Sequence, residues 1–149
     1  KKIMIAVGGE PFFPNFKGNE FMINSDKALD LEELPKSIII YGSGYIAVEF
    51  AGIFNGFGVD THLVFRSDKT LKGFDEDIRD HLMLSMEQKG ITIHNNVTIS
   101  KINKDFNDYI IELSDGNKLN ADLVMGATGR IPKVSKLGLE KHLINYFVV

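Results

Sequence analysis

Ser37-Ile38-Ile39-Ile40-Tyr41-Gly42-Ser43-Gly44-Tyr45-Ile46-Ala47-Val48-Glu49-Phe50-Ala51 is the stretch on which the fold turns. Residues 37–41 form an unbroken apolar run, the pattern of a strand covered on both faces in a parallel sheet. Two glycines follow directly. Beyond them Ile46, Ala47, Phe50, Ala51 and Phe54 recur at three- and four-residue steps, which places them on one stripe of a helix, and Gly56 is suited to cap its C-terminus. Residues 61–65, Thr-His-Leu-Val-Phe, read as the next strand. The three elements make a strand-helix-strand unit of about 30 residues, expected to be parallel and right-handed.

Between strand and helix, Gly42-Ser43-Gly44-Tyr45-Ile46-Ala47 is a GxGxxA pattern. Alone it would be weak, but in this position it is specific for a dinucleotide. Gly42 permits the sharp turn out of the strand, and Gly44 lets the backbone approach a pyrophosphate that a Cβ would hold away. The anion would rest on the helix N-terminus, where free N–H groups and the positive dipole end favour it. Ala47 replaces the third glycine and still allows close helix–sheet packing. The plain alternative is a turn that uses glycine for geometry alone.

The second strand ends in Phe65-Arg66. A domain selective for NAD places an Asp or Glu there to accept hydrogen bonds from the adenosine ribose 2′-hydroxyl. A guanidinium without that carboxylate favours the 2′-phosphate of NADP, which it grips with two parallel hydrogen bonds. Lys72, in the following loop, supplies a second cation. Asp68 lies in the same loop and could cancel part of the field by pairing with Arg66 or Lys69; it is expected to point to solvent. The alternative reading of Arg66, Lys69 and Lys72 is a solvated basic loop.

Outward from this unit, residues 1–7 read as a buried strand, and the prolines of residues 10–18 as a loop. Ser25-Asp26 offers an N-cap for a short helix that must end before Pro35. Asp75 is a fitting N-cap for a second helix, with Glu76 and Asp77 in its first turn, Ile78, Leu82 and Met86 on its apolar stripe and Gly90 at its end. Residues 91–94 suggest a third parallel strand. Residues 97–102 and 109–113 suggest antiparallel strands, with Asp115-Gly116 as a tight turn, and residues 123–127 another buried strand. The expected fold is α/β: a Rossmann-like parallel sheet with a βαβ dinucleotide-binding unit and an antiparallel β-meander crossover, in three layers.

Composition narrows the function. The 149 residues, 44% of them hydrophobic, suffice for one domain with a proper core. With 17 basic against 20 acidic side chains the net charge is −3, which argues against a nucleic-acid partner. No stretch approaches the roughly 20 apolar residues of a membrane span, so no membrane partner and a cytoplasmic location are expected. With no cysteine, the chain carries no dithiol chemistry of its own. His62, His81, His94 and His142 lack metal-ligand spacing and read as ordinary surface or packing residues.

The segment from Gly42 through Glu49 and Ala51 to Gly52 closely resembles the NADPH-binding domain of glutathione reductases, within the class I pyridine nucleotide-disulfide oxidoreductases. The likeness extends in order over Ile3-Met4-Ile5-Ala6-Val7-Gly8-Gly9, Ser25-Asp26, Leu34-Pro35, Thr61-His62-Leu63, Arg66 with Lys72, Phe74-Asp75 and Ala127-Thr128-Gly129-Arg130-Ile131-Pro132. The resemblance implies a homodimeric flavoenzyme in which NADPH reduces FAD and the flavin opens an active-site disulfide that reduces glutathione disulfide. It also implies that Tyr45 is a gate over the flavin, that Glu49 holds the nicotinamide carboxamide, and that Ser43, Ile46 and Gly129 touch the cofactor mostly through backbone. Lys72 departs from the usual arginine, and the likeness fades after Glu140.

On this reading residues 1–24 are an incoming strand and linker from an FAD domain, 25–130 the NADPH-binding domain, and 131–149 an exit segment toward the FAD domain. The chain is then expected to be a piece of a larger enzyme, lacking the FAD and dimerisation domains and inactive alone. Dihydrolipoamide dehydrogenase shares the architecture but would want an acid where Phe65 stands. Trypanothione, mycothiol and mercuric reductases, and a non-catalytic NADPH-binding module, stay open. A methyltransferase gains nothing from Arg66.

Overall fold

The computed structural model describes residues 3–106 and 108–139. Its elements are β1 (Gly9–Pro11), a 3-10 turn (Asn19–Phe21), α1 (Ser25–Ala28), β2 (Ser37–Tyr41), α2 (Tyr45–Gly56), β3 (Asp60–Val64), α3 (Glu76–Gln88), β4 (Thr92–His94), β5 (Ile99–Asp105), β6 (Asp108–Leu113), β7 (Lys118–Ala121), β8 (Leu123–Gly126) and β9 (Arg130–Pro132). Strands β4-β3-β2-β8 form a parallel sheet, β5-β6-β7 an antiparallel meander, and β1 pairs antiparallel with β9.

The unbroken apolar run of β2 is explained by cover on both sides. Ile38 and Ile40 join Leu63 and Phe65 against Ala47, Phe50, Ala51 and Phe54 of α2 and Met86 of α3. Ile39 and Tyr41 join Val64 and Val124 against Ile99, Ile102, Ile111 and Leu113 of the meander. Helices, sheet and meander are thus the three expected layers. Ile38, Ile39, Ile40 and Leu63 have no exposed surface, and each such side chain contributes roughly 1.5–3 kcal/mol of burial. Residues 12–24 belong to this body: Met22 is buried in the meander-side core, with Phe13, Phe16 and Phe21 packed on it.

Several local expectations are corrected. Residues 3–8 form no strand, and Ile3 is 86% exposed; no neighbouring strand among the described residues pairs with them. The cap of α1 is Asn24, whose side chain accepts from the Lys27 amide. Gly56 is the last residue of α2 rather than its cap, and the left-handed residue after the helix is Gly58. On α3, Leu82 and Met86 face the core as expected, but the first position of the stripe does not: Ile78 is 57% exposed, and Arg79 is buried in its place. Asp75 caps α3 as expected, accepting from the amides of Asp77 and Ile78. The expectations for Lys1, Lys2 and residues 140–149, His142 included, lie outside the described residues.

Two histidines do more than fill space. On the meander-side face of β3 and β4, His62 Nδ1 and His94 Nε2 are joined by a 2.9 Å hydrogen bond, which requires at least one neutral ring. Asp60 Oδ1 lies 3.6 Å from His62 Nε2. Burial lowers the His94 pKa, the neighbouring His62 lowers it further, and Asp115 opposes them. A lowered value means that the unfolded chain takes up this proton first, so the stabilisation is complete above the ordinary value of 6.5 and is lost as the pH falls from there. Urea midpoints should therefore drop between about pH 7.5 and pH 5.5, and a His94→Gln variant should drop less; equal slopes would refute the assignment.

Candidate functional site

Three strands end together at the carboxyl edge of the sheet, where open α/β sheets place their ligands. The Gly42 amide donates to the Val64 carbonyl at 2.9 Å and the Ala127 amide to the Tyr41 carbonyl at 2.7 Å, so β2, β3 and the end of β8 converge on the glycine turn. Gly42 has φ 148°, and a Cβ there would lie 2.2 Å from the Ala127 carbonyl oxygen. The fold itself demands this glycine.

Gly44 is different. Its φ of −81° suits any residue, and a Cβ there would meet no protein atom within 4 Å. Nothing in the protein requires glycine at this position, whereas a ligand drawn close to the backbone would. Gly44 is also the N-cap of α2; no side chain caps the helix and its first turn holds no acid. Its first N–H groups and positive dipole end therefore meet no capping side chain of the protein among the described residues.

Beside the turn runs the loop from Arg66 to Gly73. Phe65 is buried and Arg66 emerges exposed after it. Among the described residues neither Arg66 nor Lys72 enters an ion pair or a side-chain hydrogen bond. Lys69, by contrast, is committed: its ammonium lies 2.6 Å from Asp80 and 3.1 Å from Glu76. Hydrogen bonds to Asp80 and then Glu76 raise its pKa, and those from Lys69 and then Arg79 lower that of Glu76. Asp68 is exposed, as expected, and does not pair with Arg66; its Oδ1 lies 3.7 Å from Arg79 Nη2, with 69% of its side chain open to solvent. Burial raises the pKa of the nearby Tyr41 hydroxyl, while a hydrogen bond with the Ile99 backbone and the positive field of Arg66 pull it back.

Loop and turn are bonded together. The Leu71 amide donates to the Ser43 carbonyl at 2.7 Å, with Leu71 held in the left-handed region at φ 52°. Sequence reasoning passed over this link and Arg79, which anchors the same loop from below. The only available signal was an arginine three residues after Glu76 on a helix flanked by acids.

The remaining expected residues cluster at the same edge. Tyr45, the first residue of α2, is 66% exposed, and Glu49 is exposed one turn later. Ile46 is half-buried against the helix-side core, and Ala47 is fully buried there, leaving no room between helix and sheet. Gly129 follows β8, and its carbonyl accepts from the Phe12 amide at 2.9 Å. Exposed groups thus ring the turn while apolar ones anchor it. Among the described residues no cluster of His, Asp and Glu is arranged to hold a metal, and no helix is long and apolar enough to cross a membrane.

Residues 1–149 match the family described as pyridine nucleotide-disulphide oxidoreductase. The chain is 45% identical over 141 residues to a glutathione reductase of Nostoc sp., covering 93% of this chain and 31% of that protein. It is 42% identical over 144 residues to the glutathione reductase of Schizosaccharomyces pombe, covering 95% and 31%. Among solved structures, the HOCl-induced flavoprotein disulfide reductase RclA of Escherichia coli superposes with a TM-score of 0.84 at 29% identity, over 91% of this chain and 32% of that one. The chain therefore spans about a third of the length of the relatives it matches.

The contrast between the two glycines is measurable by urea denaturation. Gly42→Ala should cost roughly 2–4 kcal/mol through backbone strain and the clash with Ala127. Gly44→Ala should change stability by less than about 1 kcal/mol. Equal losses would show that Gly44 serves the fold after all.

Proposed function

Because the chain belongs to the pyridine nucleotide-disulphide oxidoreductase family, we propose that it is the NADPH-binding part of a flavin-dependent disulfide reductase whose whole form, a homodimer, reduces glutathione disulfide. The observation that carries the nucleotide preference is the pair of uncommitted cations, Arg66 and Lys72, beside a glycine turn that leaves open space where a Cβ would stand. The names of the relatives at over 40% identity support the substrate. Since residues 12–24 pack into the body, the incoming segment of this reading is confined to residues before them, and the exit segment toward the FAD domain begins at residue 131.

In this reading the pyrophosphate rests on the N-terminus of α2, against the amides that follow Gly44. Gly42, Ser43, Ile46 and Gly129 meet the cofactor through backbone, and Ala47 keeps the helix close to the sheet. Arg66 makes paired hydrogen bonds to the 2′-phosphate and Lys72 adds a point charge. When bound, NADPH would supply a hydride for the FAD of the whole enzyme. Tyr45 would be the gate over the flavin, and Glu49 would hold the nicotinamide carboxamide. With no cysteine in this chain, the dithiol belongs to another part of the enzyme. The reading of a dihydrolipoamide dehydrogenase, with its NAD preference, is disfavoured by Phe65-Arg66.

Titration of the protein with NADPH and NADH should show NADPH the tighter by roughly 10-fold to 1000-fold, since each charge-assisted hydrogen bond contributes about 1.5–3 kcal/mol. Arg66→Ala should remove most of that advantage and leave NADH binding unchanged. Raising the salt should shrink the advantage, because exposed charges are screened over about 10 Å at 0.1 M. Equal affinities, or an unchanged preference in Arg66→Ala, would overturn the proposal.

A further inference from the structure

Arg79 has an unusual place for a charged residue. It lies on the inward side of α3 and is only 7% exposed. Its Nε donates to the Thr70 carbonyl at 2.7 Å and its Nη2 to the Lys69 carbonyl at 3.3 Å. Its Nη1 pairs with Glu76, and its Nη2 lies 3.7 Å from Asp68. A buried guanidinium is costly to desolvate, and these acceptors offset that cost. Two of them are backbone carbonyls of the loop that carries Arg66 and Lys72.

The bonds form a chain from helix to ligand site. Arg79 holds the carbonyl of Thr70, a residue with no exposed surface. The next residue, Leu71, is held left-handed and donates to the Ser43 carbonyl in the glycine turn. Lys72 follows at once. A left-handed leucine is strained and persists only where its neighbours fix it. Arg79 fixes one side of it and Ser43 the other.

The same guanidinium governs the charges of the loop. Asp68 is two residues from Arg66 and Glu76 four residues from Lys72. Both carboxylates lean on Arg79, and Lys69 holds Glu76 and Asp80. Without Arg79, Asp68 would lose its cationic partner and Glu76 would keep only Lys69, leaving more negative charge uncompensated in the loop that carries Arg66 and Lys72.

From this geometry we infer that Arg79 is a positioning residue for nucleotide selectivity: it sets the register of the Arg66–Lys72 loop on the glycine turn and keeps Asp68 and Glu76 away from the 2′-phosphate. It touches no part of the cofactor. The inference rests on the proposed NADPH preference and adds to it a residue remote from the phosphate.

Calorimetric titration with adenosine 2′,5′-bisphosphate and with AMP isolates the 2′-phosphate. In Arg79→Met, checked for folding by circular dichroism and its urea midpoint, affinity for the bisphosphate should fall about tenfold, one charge-assisted hydrogen bond's worth, with AMP affinity unchanged. Arg79→Lys keeps the charge but reaches fewer of the acceptors, so it should lose selectivity part-way; it carries the same test if Arg79→Met does not fold. Equal losses for both ligands would mean that Arg79 only supports the fold, which overturns the inference. Arg66→Ala separates the two levels. If it abolishes the difference between the ligands while the Arg79 variants preserve it, the inference alone fails. If Arg66→Ala itself leaves the difference intact, the underlying nucleotide reading fails.

Discussion

Burial of β2 on both faces is the constraint from which the rest follows. A strand with helices on one face, a meander on the other and β3 and β8 along its edges exposes nothing along its middle, so its central side chains, Ile38, Ile39 and Ile40, must be apolar and its ends must escape at fixed points. At its carboxyl end the escape is tight. The chain passes so close to the Ala127 carbonyl that only glycine fits at position 42. That forced turn aims the N-terminus of α2 at the open edge of the sheet, and the site is a consequence of the packing before it is a device for binding.

Charge is arranged around this edge by commitment rather than by number. The loop and the start of α3 hold carboxylates as well as cations, and a simple sum would predict little attraction for an anion. What matters is that Asp68, Glu76 and Asp80 are engaged by Arg79 and Lys69. In the proposed reading, selectivity for the 2′-phosphate would come from satisfying the unwanted charges internally. A buried arginine, weak as a source of stability, is well suited to that task because its planar fork serves several acceptors at once.

The parallel sheet, the three layers and the turn were legible because each rests on periodicity or on glycine chemistry, which are local. The continuous run at residues 37–41 and the three- and four-step stripe of α2 left little choice. The errors were of another kind. Ile78 looked like the start of an apolar stripe, and only the distant carbonyls of residues 69 and 70 make Arg79 the inward residue instead. Residues 3–7 have the composition of a strand, but composition does not supply a neighbour to pair with. The helix ends slipped by one or two positions, at Asn24 and Gly58, because several residues in each place could have served. Within the site, Arg66 could be found from its spacing, whereas the bond from Leu71 to Ser43 depends on backbone conformation that no side-chain pattern announces.

The short antiparallel pair β1–β9 has a mechanical meaning. Gly9 faces Pro132 and Pro11 faces Arg130, so the polypeptide reaches the folded body and departs from it one strand spacing apart, about 4.8 Å. The folded body is thus joined to the residues before and after it through a single two-stranded ribbon. Tension on those residues would open the ribbon like a zipper, one rung at a time, before any load reached the parallel sheet.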